Sequence, residues 1–146
     1  MDNFLPFESS GELQANAEYV LVTGDRYWDS EEICRRELLL CASMKELSHG
    51  AAKGADSICA KIATGLIGEE SVKAFPAEWE KYRQLGRVRA AGPIRNRQML
   101  QHMLERLKLG SVFVLAFHRQ IQESKGTRDM VRISQRAGLP VKLITE

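Results

Sequence analysis

His49-Gly-Ala-Ala-Lys-Gly-Ala-Asp56 joins a short strand-like run, Glu46-Leu-Ser48, to the Ala-rich segment Ala55 to about Ile67. In that segment Ile58, Cys59, Ile62, Ala63 and Leu66 recur at helical spacing, so one face packs on a sheet. A strand turning through glycines into a one-sided helix is the unit of a helix-covered sheet. Gly50 and Gly54 can adopt backbone conformations closed to other residues, and the first amides of the helix, from about Gly54 or Ala55, point out unpaired. Small residues there let a ligand approach the backbone, and such a helix start favours phosphate or another anion. A tight turn with no ligand explains the segment equally well. The motif is neither G-x-x-x-x-G-K-S/T nor G-x-G-x-x-G, so the familiar ATP and dinucleotide fingerprints are missing.

Upstream, Tyr19-Val-Leu-Val-Thr23 is a continuous apolar run of the kind a strand buried on both faces requires, and it stops at Gly24. It reads as the first, central strand. Gly24-Asp-Arg-Tyr-Trp-Asp-Ser30 is a loop, in which Asp29 or Ser30 caps a helix running to about Lys45. Residues 1–17 lack any period and read as an extension that is disordered or lies on the domain or a partner. Downstream, Ser71-Val-Lys-Ala-Phe75 alternates like a strand and Pro76 halts it. Ala77 to Gly92 reads as a long functional loop with a helical turn around Glu78 to Leu85. Pro93 suits the first position of a helix to about Leu109. Ser111-Val-Phe-Val-Leu-Ala-Phe117 is the clearest strand, followed by a helix from about Gly126 to Ala137 and a last strand, Val141-Lys-Leu-Ile144.

Strand and helix alternate throughout, which predicts an α/β fold: a three-layer sandwich with a mainly parallel sheet of about five strands, in one domain over residues 18–146. In such sheets ligands bind beyond the carboxyl ends of the strands, near the reversal of strand order. The unusual residues follow strand ends: Gly24-Asp-Arg26, His49-Gly50, Pro76 to Trp79, and Phe117-His118.

A chain of 146 residues with 44% hydrophobic and 27% charged content is long enough to bury its own core. The net charge of +2 gives no global drive toward nucleic acid. Cys34, Cys41 and Cys59 lack ligand spacing and read as reduced core thiols in a cytoplasm. No apolar run approaches the ~18 to 20 residues of a membrane span, and no export signal is legible, so a soluble, cytoplasmic protein without membrane association is expected.

Arg95 and Asn96 fall in the first turn of the helix opened by Ala91-Gly-Pro-Ile94, beside unpaired amides. A guanidinium there opposes the helix dipole unless an anion lies between them, which favours phosphate or carboxylate binding. Lys81 to Leu104 holds six basic residues and no acidic one, a stretch that a solvated basic face also explains. Ser124-Lys-Gly-Thr127 opens the last long helix as another anion cradle, though an ordinary Ser cap accounts for Ser124 nearly as well. Trp28 and Trp79 can stack on a nucleobase or pack beneath their loops. His49 and His118 are candidate proton carriers or ligand hydrogen-bonders; His102, inside a helix, reads as structural. No catalytic grouping, metal spacing or cofactor motif stands out, so the chemistry of the sequence alone gives a binding site rather than a reaction.

Together these segments resemble the YspA/YpsA-like branch of the SLOG superfamily, Rossmann-like domains related to the LOG phosphoribohydrolases and the DprA/Smf DNA-processing proteins. The resemblance runs from about Tyr19 to Ile144. Val20-Leu-Val-Thr-Gly-Asp-Arg26 with Trp28 is similar to the first strand and its G-x-R-x-W loop, and His49 to Asp56 is similar to H-G-G-A-x-G-A-D, with Ala51 in place of the second glycine. Phe75-Pro-Ala-Glu-Trp79, Ala91 to Asn96 with Met99, and Ser124 to Thr127 match three further blocks in order.

The resemblance implies a site for a nucleotide or nucleotide-derived small molecule, bound or sensed in bacterial stress, defence or phage conflict. The candidate ligand-binding residues are Gly24, Asp25, Arg26, Trp28, His49, Gly50, Ala51, Gly54, Asp56, Trp79, Gly92, Arg95, Asn96, Ser124, Gly126 and Thr127. A nucleotide N-glycosidase is the second reading, with Arg95 holding phosphate and Asp129 stabilising a cationic ribosyl transition state or activating water. Gly126-Thr127 is retained from the LOG loop, but its P-G-G is absent, and Met130 stands where the LOG pattern has its second acid. DprA-like nucleic-acid binding through Lys81 to Arg97 is third. Related domains commonly dimerise, so self-association is a further expectation.

Overall fold

The computed structural model describes residues 7–146; the part of the expected extension before Phe7 lies outside them. Strands β1 (Tyr19–Gly24), β2 (Glu46–His49), β3 (Val72–Ala74), β4 (Val112–Phe117) and β5 (Val141–Ile144) form one sheet in the order β3-β2-β1-β4-β5. Every pairing is parallel. Helices α1 (Phe7–Asn16), α2 (Glu31–Leu40), α3 (Ala55–Ile67), α4 (Trp79–Gln84), α5 (Ala91–Leu107) and α6 (Gly126–Arg136) complete it, with short 3-10 turns at Glu69–Ser71, Val88–Ala90 and Ile121–Glu123.

Successive residues of the central strands face opposite ways, and both faces are apolar. Val20, Val22, Phe113 and Leu115 pack with Leu38 of α2 and Cys59 and Ile62 of α3. Leu21, Val114 and Ala116 pack with Met99 and Met103 of α5 and Met130 and Val131 of α6. Burial on both sides is why β1 and β4 read as unbroken hydrophobic runs. The result is a Rossmann-like three-layer α/β sandwich. Cys34, Cys41 and Cys59 are buried free thiols on the α2–α3 side.

Two boundaries differ from the sequence reading. Helix α2 ends at Leu40, short of Lys45, because the next residues pair with the chain leading into β1: the amides of Ser43 and Lys45 donate to the carbonyls of Ala15 and Glu18 at 3.1 and 2.7 Å. Helix α5 begins at Ala91, so Pro93 is its third residue; proline is tolerated there because first-turn amides have no carbonyl four residues back. Arg95 and Asn96 therefore sit in the second turn. Phe7–Asn16 is helical and lies against α2: Gln14 is buried, and its Nε2 donates to the Glu37 carbonyl and to Oε1 at 3.0 and 3.1 Å. Among the described residues no helix is long and apolar enough to cross a membrane.

Candidate functional site

Strand order reverses between β1 and β4, with β2 and β3 on one side and β5 on the other. A cleft of about 840 Å³ opens there, a volume typical of small-molecule sites. Its walls come from Thr23 to Tyr27 at the end of β1 and just beyond it, Ala52 and Asp56 at α3, Trp79 of α4, Gly92 and Arg95 of α5, His118 after β4, and Ser124 to Thr127 with Asp129 at α6.

The glycine loop is organised differently from the sequence reading. The Ala55 amide is not free; it donates to the Asp25 carbonyl at 3.1 Å. Gly54 has φ +77°, and a Cβ there would run into the Asp25 carbonyl oxygen and lie 2.5 Å from the Arg26 carbonyl. A Cβ on Gly50 would lie 2.6 Å from Arg95 Nη1, and one on Gly24 2.6 Å from the Ala55 Cβ. These glycines therefore let three chain segments close on one another at the sheet edge, and the cleft lies in front of them.

Asp56 is 4% exposed. Its Oδ2 accepts from the amides of Gly50 at 3.0 Å and Ala52 at 3.3 Å, which fixes the loop, while Oδ1 is buried without a partner among the described residues. Burial pushes this carboxyl up to about 6, against the opposing pull of the Ala52 amide, the Arg95 charge and the Gly50 amide. His49 lies behind the cleft wall. Its Nδ1 accepts from the Ala51 amide at 3.0 Å, and burial followed by the Arg95 charge holds the imidazole below its usual value.

Arg95 is anchored inward. Nη1 donates to the carbonyls of Gly50 and Phe75, and Nε donates to Asn96 Oδ1 at 3.1 Å. Only Nη2 has no protein hydrogen bond among the described residues. Buried Asn96 clamps α5 to α6 through Nδ2, which donates to the Gly126 carbonyl at 3.2 Å and to Asp129 Oδ2 at 3.0 Å. Ser124 Oγ caps the Thr127 amide at 3.0 Å. A Cβ on Gly126 would meet nothing within 4 Å, so the start of α6 is open to the cleft.

The two tryptophans separate. Trp28 is 2% exposed, meets the Phe117 ring edge-on at 5.5 Å, donates Nε1 to the Ser30 carbonyl and carries the Arg119 guanidinium 4.3 Å from its ring centroid. It packs in the core, away from the cleft. Trp79 is 49% exposed and stands at the cleft beside Gly92. The structure thus gathers Gly24, Asp25, Arg26, Asp56, Trp79, Gly92, Arg95, Asn96, Ser124, Gly126, Thr127 and Asp129, and leaves His49, Gly50, Ala51, Gly54 and Trp28 outside the lining. His102 binds Glu46 at 2.5 Å, with Arg106 on the same carboxylate at 3.1 Å, in a structural cluster.

Tyr27, Arg89 and Lys125 also line the cleft and were absent from the candidate set. Tyr27 and Lys125 each adjoin a singled-out residue, so position beyond a strand end was the available signal. Arg26, Arg89, Arg95 and Lys125 share the lining with Asp25, Asp56, Glu123 and Asp129, four basic and four acidic side chains. The site is therefore a mixed one that can hold an anion at one point and hydrogen-bond donors at another. No group of three or more metal-ligating side chains occurs among the described residues.

The chain is 32% identical over 130 residues to the Gene 61 protein of Mycobacterium phage D29, a match covering 84% of this chain and 92% of that protein. No described protein family and no solved structure matches it.

Proposed function

This chain belongs to the family of the Gene 61 protein of Mycobacterium phage D29, and on that premise we propose that its cleft binds or senses a nucleotide or nucleotide-derived small molecule, in a cytoplasmic setting of bacterial stress, defence or phage conflict. The observation that carries this reading is the cleft at the strand-order reversal, into which the open N-terminus of α6 and an exposed tryptophan both face. Arg26, Lys125 and the amides at the start of α6 suit a phosphate, and Trp79 suits a base. Arg95 contributes its remaining Nη2 and, above all, shapes the wall.

A thermal-shift screen of nucleoside mono-, di- and triphosphates, NAD, ADP-ribose and cyclic dinucleotides tests the reading, with chromatography of each mixture afterwards. A compound at 100 times its Kd adds about 2.7 kcal/mol of stability. A shift with intact compound is the expected result, and no shift across the panel overturns the reading. Release of free base would favour the N-glycosidase reading instead, which rests on Asp129 lining the cleft with its Oδ2 held by Asn96.

A further inference from the structure

We infer that Asp56 Oδ1 is the specificity-determining acceptor of the cleft, taking a hydrogen bond from a neutral donor on the ligand, either a sugar hydroxyl or an amino group of the base. The inference rests on the nucleotide reading and names what that ligand must present. Asp56 lines the cleft and is more than nine-tenths buried, yet one carboxylate oxygen has no partner among the described residues. A buried polar atom left unpaired is costly, and a charged one more so.

The side chain cannot turn away to find a partner, because Oδ2 holds the amides of Gly50 and Ala52. Nor does Arg95 relieve it: that guanidinium is tied to the carbonyls of Gly50 and Phe75 and forms no ion pair with Asp56 among the described residues. The other unpartnered buried side-chain atoms among the described residues, the hydroxyls of Ser48 and Ser134, lie away from the cleft wall and belong to rotatable groups. With the Arg95 charge close by, a neutral donor fits this oxygen better than a cation.

Isothermal titration of AMP, GMP, their 2',3'-dideoxy forms and IMP into the wild type and Asp56→Asn tests this. The amide variant keeps an oxygen for the two loop amides and places an NH2 where Oδ1 stands. The wild type is expected to bind AMP or GMP at least about tenfold more tightly than one depleted analogue, a preference of the size hydrogen-bonding sites show. Loss with the dideoxy compound identifies the sugar as the donor, and loss with IMP identifies the base. In Asp56→Asn the preference should fall below about threefold. Asp56→Ser, which keeps a hydroxyl acceptor at the helix start, repeats the variant arm if the amide does not fold. Equal binding of all compounds by the wild type, or the same preference in the variant, overturns the inference while leaving the nucleotide reading intact. Failure of both AMP and GMP to bind overturns the inference, and the nucleotide reading falls too if the wider screen is also negative.

Discussion

Gly54 combines a backbone at φ +77° with the Asp25 carbonyl and the Arg26 backbone packed where a side chain would begin. Gly54→Ala must therefore accept a strained conformation and also push the β1 loop outward. We expect a loss on the order of 3 kcal/mol in urea unfolding. Gly126→Ala is the control, since its Cβ would meet nothing within 4 Å and its stability should change little. The glycine motif was legible as a special turn, but not what approached it: spacing reveals room for a close neighbour without saying whether that neighbour is a ligand or another loop. The same limit applies to Trp28 and Trp79, which have similar loop settings in the sequence. Only the fold decides that one lies against Phe117 while the other stands at the cleft.

At the scale of elements, α1, α2 and β5 are tied by one buried polar cluster. Lys142 Nζ donates to Glu37 Oε1 at 2.7 Å and to Gln14 Oε1 at 3.0 Å, and Glu37 is 3% exposed. Burial pushes the Glu37 carboxyl up, but hydrogen bonds from Lys142 and Gln14, the Lys142 charge and Arg36 outweigh it and hold the carboxyl below its usual range. A carboxylate lowered in the folded state adds stability above its unfolded value, and that stability is lost as pH falls through the folded value. Lys142→Met leaves Glu37 with Arg36 Nε on Oε2 at 3.0 Å but without the ammonium on Oε1, and should cost about 2 kcal/mol at pH 7. The gap from the wild type should narrow in melts below pH 4 as the carboxylate is protonated. None of this was legible from the polar, aperiodic stretch before Tyr19, because the hydrogen bonds of a single buried glutamine leave no periodic signal in the sequence. The early end of α2 has a similar cause: Cys41-Ala-Ser-Met44 contains no breaker, and tertiary bonds to Ala15 and Glu18 end the helix. Elements held by the sheet itself, β1, β4 and α3, were placed almost to the residue because their apolar periodicity directly records what they pack against.

For the whole molecule, the position of the cleft follows from strand order, and its charge follows from which side chains pair. The basic stretch from Lys81 to Arg97 looks like a nucleic-acid face only while its partners are unseen. Lys81 lies 3.7 Å from Glu78, Arg83 lies 2.6 Å from Glu80, and Arg97 lies 3.6 Å from Asp129. Arg95 is turned into the protein by the Gly50 and Phe75 carbonyls. That leaves Arg87 and Arg89 as the exposed cations of this stretch without an ion pair among the described residues, on a chain of net charge +2. Two neutralised phosphates give a slope of log affinity against log salt of roughly −2 on duplex DNA, where a dedicated binder making six to ten phosphate contacts gives far steeper dependence. Fluorescence anisotropy with labelled duplex and single-stranded DNA between 50 and 200 mM salt measures this slope. A shallow slope with weak binding agrees with a small-molecule cleft framed by neutralised helices. A slope steeper than about −5 would mean that the ion pairs with Glu78, Glu80 and Asp129 open to phosphate, and that nucleic acid is the partner this sheet edge serves.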